Sequence, residues 1–270
     1  MLWNAKNGVV AVGDTDMDYV SFGYGEKALI FLPGLSDGLK TVKGKALFLA
    51  GYYRIFFEEY TVYMLSRIND LPDVYSIREM ADDAAEAMKA LGINKAVVTG
   101  ASQGGMVAQY LAINYPEMVE KLVIVVSAPR VNDTIRECVN RWIDYAERGD
   151  HKELTIDTIE KSYSPKALDK LRKTYPFIGL LGKPASYKRY LINANAIRSF
   201  DAYRELKKIN CPTLIIGGGE DQIVGIEGSY ELHEQISDSE LYVYEELGHA
   251  VYEEAEDLNE RIFRFLEEKE

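Results

Sequence analysis

Val97-Val98-Thr99-Gly100-Ala101-Ser102-Gln103-Gly104-Gly105 is the stretch of this 270-residue chain best equipped to do covalent chemistry. It is a G-x-S-x-G pattern set between an apolar run and a helical pattern, the context its mechanism needs. The sharp turn strains Ser102 and pushes its hydroxyl outward. Gly100 and Gly104 supply the near-bare positions through which strand and helix can approach each other. The helix that starts behind Ser102 adds a positive dipole end, which favours negative charge near the reacting oxygen. An incidental serine in a glycine-rich turn is the plainer reading, and the flanking elements argue against it.

A nucleophilic serine needs a base, and the chain has three histidines. His151 sits beside Lys152 and Glu153 in a charged stretch and reads as a solvated surface residue. His233 lies in the helical pattern Tyr230 to Ile236, where a surface or half-buried position is expected. His249 follows the strand pattern Leu241 to Tyr244 through Gly248, in a loop at a C-terminal strand end, where ligands of open α/β sheets gather. His249 is therefore the candidate base. The base needs an orienting carboxylate. Ile215-Ile216-Gly217-Gly218-Gly219-Glu220-Asp221 places one just past another strand, with Asp221 the candidate and Glu220 its neighbouring rival. Asp133, after the strand near Val126, is a more distant rival. Pro33-Gly34-Leu35 ends an early strand, so the backbone N–H of Leu35, with that of Gln103, could form an oxyanion hole.

These residues need a sheet that brings several strand ends together. Val9 to Val12 and Tyr19 to Phe22 flank Gly13-Asp14-Thr15-Asp16 and read as a hairpin. Ala28 to Leu32 is apolar throughout, as an inner strand covered on both faces must be. Strand and helix then alternate: strand Tyr60 to Leu65; helix Ser76 to Leu91, with Ser76 and Glu79 as a capping box and Gly92 beyond its end; strand Ala96 to Val98; helix Gly104 to Tyr115; strand Leu122 to Val126. That rhythm predicts an α/β fold with a parallel sheet. Residues 130–200 break it, being rich in Lys, Glu, Asp and Tyr without a buried strand. It resumes at Pro212 to Ile216 and Leu241 to Tyr244, and a closing helix carries Leu258, Ile262, Phe265 and Leu266 on one stripe. The expected organisation is one core from residues 1–129 and 201–270, interrupted by a helical insertion at 130–200.

The order Ser102, Asp221, His249, with the insertion between the sixth and seventh core strands, resembles the α/β-hydrolase fold superfamily along nearly the whole chain. The lead-in Phe200-Asp201-Ala202 through Ile209-Asn210-Cys211-Pro212-Thr213 is similar to that before the acid-bearing strand of many capped members. The resemblance implies an eight-stranded, mostly parallel sheet under a helical cap, and a cofactor-independent, esterase-like mechanism. Two loops depart from the family pattern. Pro33-Gly34 stands where His-Gly is common, and Leu65-Ser66-Arg67-Ile68-Asn69-Asp70-Leu71 replaces the common Asp-x-x-Gly-x-Gly loop. Both shape the pocket, so they bear on the substrate more than on the machinery.

Composition narrows the partners. Hydrophobic residues are 47% and charged residues 27%, an ordinary globular balance. The net charge of −12 disfavours nucleic acid and anionic membrane surfaces. Cys138 and Cys211 are too few for a disulfide framework and read as packing residues in a reducing compartment. Met1 to Lys6 lacks the apolar core of a signal peptide, and Ala46 to Phe57 is too short and interrupted to span a bilayer. A cytoplasmic protein is expected, as a monomer or a homodimer. Gly23-Tyr24-Gly25 lacks the third glycine of a dinucleotide loop, Lys45 and Lys183 lack a phosphate-binding glycine pattern, and no metal-ligand spacing occurs. No cofactor or metal is expected. The function expected is hydrolysis of a small carboxylic ester or lactone; Tyr163, Tyr175, Tyr187 and Tyr190 could line an aromatic acyl pocket, although tyrosines on amphipathic helices more often serve packing. The alternatives on the same triad are a carbon–carbon bond hydrolase, a lyase, an acyltransferase, or a small-molecule receptor with slow turnover.

Overall fold

Eight strands and ten α-helices alternate in a computed structural model that describes residues 2–178 and 182–268. The strands β1 (Lys6–Val12) and β2 (Thr15–Gly23) form the antiparallel hairpin, with Gly13 at a positive φ in its turn. They are followed by β3 (Lys27–Leu32), α1 (Ala46–Ala50), β4 (Tyr60–Ile68), α2 (Ile77–Ala90), β5 (Ala96–Ala101), α3 (Gln103–Asn114) and β6 (Val119–Val125). Four helices come next: α4 (Asp133–Glu147), α5 (His151–Ser162), α6 (Pro165–Leu171) and α7 (Lys188–Ile197). The chain ends with β7 (Thr213–Gly218), α8 (Ile226–Gln235), β8 (Ser239–Tyr244), α9 (Val251–Glu254) and α10 (Leu258–Glu267).

One sheet holds all eight strands in the order β1-β2-β4-β3-β5-β6-β7-β8. Every pairing from β4 through β8 is parallel, and β2 runs antiparallel to both its neighbours. The apolar residues of the strands divide between two faces. One face packs under α2, α3 and α8, with Met80, Met88, Met106, Leu111 and Leu232 in its core. The other packs under α1 and α10, with Phe22, Phe56, Ile262 and Phe265. Covering on both faces explains why β5 and β7 are buried almost throughout.

Local signals set several boundaries. The Ser76 hydroxyl accepts the Glu79 N–H while the Glu79 carboxylate accepts the Ser76 N–H at 2.7 Å, so α2 begins with a capping box. The strand β4 runs to Ile68, three residues beyond the expected Leu65. Its last turn of sequence, Ser66-Arg67, is polar but buried, and that polarity hid the continuation. Among the described residues, no helix is long and apolar enough to cross a membrane.

Candidate active site

The loop after β5 carries Ser102 at φ 53° and ψ −121°, a conformation that costs a non-glycine residue about 1–3 kcal/mol. Packing enforces it. A Cβ on Gly100 would lie 2.2 Å from the Gly104 carbonyl oxygen, and one on Gly104 would lie 1.9 Å from that of Leu32. Only glycine lets β5, α3 and the end of β3 converge so closely. The Ser102 N–H donates to the Val125 carbonyl at 2.9 Å, and the Ser127 hydroxyl donates to the Ser102 carbonyl at 2.8 Å. Val126, between those two partners, also has a positive φ of 44°, unusual for a β-branched residue. Ser127 thus buttresses the elbow from just past the end of β6, and nothing in its local sequence announced it.

At the end of β3, a Cβ on Gly34 would sit 3.3 Å from Ser102 Cβ and 3.8 Å from its Oγ. The chain then enters a 3₁₀ turn over Leu35–Gly38. Leu35 and Gln103 are each the first residue of a helical segment, where a backbone N–H has no partner within the helix. Both are buried.

Past β7, Asp221 is buried and its two oxygens are used separately. Oδ1 accepts the N–H groups of Ile223 and Val224 at 2.8 and 3.0 Å. Oδ2 accepts from His249 Nδ1 at 2.7 Å, with both side chains at most 5% exposed. A carboxylate fully engaged as acceptor requires the proton of that bond on Nδ1, which leaves Nε2 as the ring's acceptor. The rivals stand elsewhere. Glu220 is exposed. Asp133 lies in the first turn of α4 with its side chain 98% exposed, paired to Arg136.

The loop bearing His249 is held by the helical segment between β6 and β7. The Ala250 N–H donates to the carbonyl of Ser162, the last residue of α5. The N–H and hydroxyl of Ser164 both donate to the Glu254 carboxylate at 2.9 and 2.6 Å. Tyr163 bonds Glu253, and Tyr175 donates to Glu160 at 2.8 Å. These two hydroxyls are tied to carboxylates; Tyr190 is buried in the core, and Tyr187 is half-buried.

His151 is not solvated, contrary to expectation. It is 6% exposed at the start of α5, with its ring 6.3 Å from that of Tyr187. His233 is exposed at the end of α8, bonded to Ser239. Cys138 donates to the Gln222 carbonyl, and burial raises its pKa above the ordinary thiol value. Among the described residues, no group of His, Cys, Asp and Glu could hold a metal ion.

Two hollows adjoin the helical segment. The larger, about 790 Å³, lies between the start of α2 and helices α4 and α7, lined by Tyr75, Tyr187, Leu191 and Asn195. The other, about 580 Å³, lies behind the acid and is lined by Asp221, Gln222, Cys138 and Lys161. Neither is lined by Ser102 or His249, so the hydrogen-bonded geometry rather than hollow size marks the candidate site.

The chain has matches among known proteins. Residues 65–256 match the family model described as alpha/beta hydrolase fold. A 2-hydroxy-6-oxononadienedioate/2-hydroxy-6-oxononatrienedioate hydrolase from Pseudomonas sp is 26% identical over 193 residues, covering 69% of this chain and 68% of the relative. Among solved structures, MGS-M2, an alpha/beta hydrolase enzyme from a Medee basin deep-sea metagenome library, superposes with a TM-score of 0.86 at 19% identity. The match covers 97% of this chain and 98% of that one. The enol-lactonase from Burkholderia xenovorans LB400 superposes with a TM-score of 0.81, also at 19% identity, over 97% and 100% of the two chains. These two likenesses speak to the fold, and the family match covers well over half of the sequence: the chain belongs to the alpha/beta hydrolase family.

Proposed function

We propose that this hydrolase cleaves a small carboxylic ester or lactone through an acyl-enzyme, with residues 130–200 as the cap over its site. The observation that carries this reading is the buried Asp221–His249 hydrogen bond, at the sheet edge where the strained Ser102 also stands. Ser102 Oγ attacks the acyl carbon as His249 Nε2 takes its proton. Asp221 keeps the ring in the tautomer that can accept, and stabilises the imidazolium that results. The N–H groups of Leu35 and Gln103 receive the carbonyl oxygen as it becomes an oxyanion. Collapse of the tetrahedral species breaks the C–O bond, and His249 returns the proton to the leaving alkoxide. Water then repeats the attack on the acyl-enzyme, giving the carboxylic acid and freeing Ser102. With a lactone, the alcohol stays attached to the acid.

The enol-lactonase likeness supports a lactone among the substrates to be tried, and no motif in the chain suggests a means of gripping a peptide. A fluorophosphonate probe with peptide mapping tests the nucleophile. The expected result is labelling of Ser102 in the native chain and none in Ser102→Ala. Labelling at another serine, or undiminished labelling of the variant, overturns the reading. p-Nitrophenyl esters of increasing chain length, run beside lactones, then separate ester cleavage from the carbon–carbon, lyase and transferase outcomes open to the same residues.

A further inference from the structure

The helix α7 makes three contacts with the segments that carry Leu35 and Gln103, and they belong together. Arg189 places its guanidinium between the turn after β3 and the end of β4. Nη2 donates to Asp37 Oδ2 at 2.9 Å and to the Arg67 carbonyl at 2.8 Å; Nη1 donates to the Ile68 carbonyl at 2.6 Å; Nε donates to the Asp37 carbonyl at 3.3 Å. Four residues on, the Asn193 carbonyl accepts from Gln103 Nε2 at 2.6 Å, on the residue after the nucleophile. Between these contacts the helix backbone meets the turn directly: a Cβ on Gly38 would lie 2.9 Å from Tyr190 Cα.

The Asp37 end of this arrangement leads to the oxyanion loop. Asp37 lies in the 3₁₀ turn that Leu35 begins, and its side chain is 1% exposed. Its Oδ2 also accepts the Arg67 N–H at 3.0 Å. Arg67 is fully buried, and its Nη2 donates to the Pro33 carbonyl at 2.9 Å, immediately before Gly34 and Leu35. The Pro33 end of the Pro33–Asp37 segment is therefore fixed by the buried Arg67, and its Asp37 end, itself buried, by Arg189, whose side chain is 19% exposed. Such charge-assisted bonds are short, strong and directional, and in a dry setting they cannot be exchanged for water. The reach of the Arg189 fork to one carboxylate oxygen and three backbone carbonyls at once is what a lysine could not reproduce.

We infer that Arg189 is a positioning residue for the oxyanion hole: through Asp37 it sets the turn that aims the Leu35 N–H, while the same helix holds Gln103 through Asn193. This rests on the serine hydrolase reading above. Arg189 touches no reacting atom in this account; it acts through Asp37. The helical segment then does more than cover the site, because it holds one side of the oxyanion hole in register with the other. A misaligned donor loses most of its value to a developing oxyanion, since preorganised geometry is what makes such donors effective.

The test compares the native chain with Arg189→Met, Arg189→Lys, Asp37→Asn and the Arg189→Met/Asp37→Asn pair. Two readings are taken: the rate of Ser102 phosphonylation by a fluorophosphonate, and the split of kcat against KM on the best ester found. Arg189→Met should slow both phosphonylation and kcat by about tenfold to a hundredfold while KM moves less than about threefold. Arg189→Lys should keep the charge and the fold but recover only part of the rate. The double variant should be no slower than its slower parent, because the two residues act through one bond. If the methionine variant does not fold, the lysine variant carries the comparison. A native phosphonylation rate in a folded Arg189 variant, or a rise in KM alone, overturns the positioning role. Failure of the native chain to be labelled at Ser102 would instead sink the hydrolytic reading beneath it, so the two failures are distinct.

Discussion

The N–H of Ala250, the residue after His249, donates to the carbonyl of Ser162 at 2.8 Å. The bond ties the loop that presents the imidazole to the end of α5. Beside it, Gly248 approaches the same residue so closely that a Cβ there would lie 2.6 Å from the Ser162 carbonyl oxygen. The imidazole is thus held from two sides, by Asp221 on its Nδ1 and by the Ser162 backbone beneath its loop.

Gly248→Ala should therefore displace the His249 loop rather than a flexible side chain, because the obstructing atom is backbone. We expect a fall in kcat of about tenfold or more, with a smaller change in KM, since the loss concerns the base and not the ground-state pocket. Steady-state kinetics on a responsive ester, with a thermal melt to confirm folding, check this. A variant with native kcat would show that the loop tolerates the shift.

Asp221→Asn should lower kcat by about a thousandfold or more, because an amide cannot hold His249 in the accepting tautomer as a carboxylate does. Glu220→Gln should stay within about twofold, because Glu220 is exposed and Asp221 holds both the His249 bond and the two backbone bonds at its other oxygen. Asp133→Asn should be equally mild, its side chain being almost wholly in water. Parallel kinetics of the three variants rank the carboxylates directly. A severe loss in Glu220→Gln or Asp133→Asn would move the orienting role away from Asp221.

Ser127→Ala removes the hydroxyl that donates to the Ser102 carbonyl. A hydrogen bond of this kind contributes about 1 kcal/mol to stability, and the elbow it supports is already strained. The expected result is a lower midpoint of thermal unfolding together with a fall in kcat of about threefold to tenfold. An unchanged midpoint and unchanged kcat would mean that the bond from the Ser102 N–H to the Val125 carbonyl and the packing of α3 hold the elbow without it.

What could be read from the sequence was what local patterning determines. Gly100 and Gly104 flank Ser102 at fixed spacing, and Asp221 and His249 each follow an apolar strand within a few residues, so their places at the sheet edge were legible. So were the capping box at Ser76 and the helical character of the stretch between β6 and β7. The support around the site was not. Arg189 and Asp37 lie 152 residues apart, and Gln103 and Asn193 lie 90 apart. Periodicity carries no information over such separations. Arg67 hid the end of β4 for a related reason: a charged residue reads as a loop, yet here it is buried, with its backbone N–H on Asp37 and its Nη2 on the Pro33 carbonyl. His151 misled in the opposite sense, because charged neighbours on a helix say nothing about the one side chain that turns inward.

The two cysteines give the last prediction. Burial pushes the Cys211 thiol up to about 11 and raises that of Cys138 as well. An unfolded thiol ionises near about 8.5, and only the thiolate is a good nucleophile. At pH 8 the native chain should therefore react slowly with iodoacetamide, and the chain in urea should take up two alkyl groups rapidly, as read by intact mass. The folded state keeps these protons to higher pH than the unfolded state does, so their contribution is fully present below about 8.5. For Cys211 it is lost as pH rises from there towards about 11. Cys211→Ser should flatten part of that alkaline decline in a series of urea melts, because serine carries no ionisable thiol. Rapid alkylation of Cys211 in the native chain at pH 8, at a rate matching the unfolded chain, would show a thiol open to solvent and would remove the basis for both expectations.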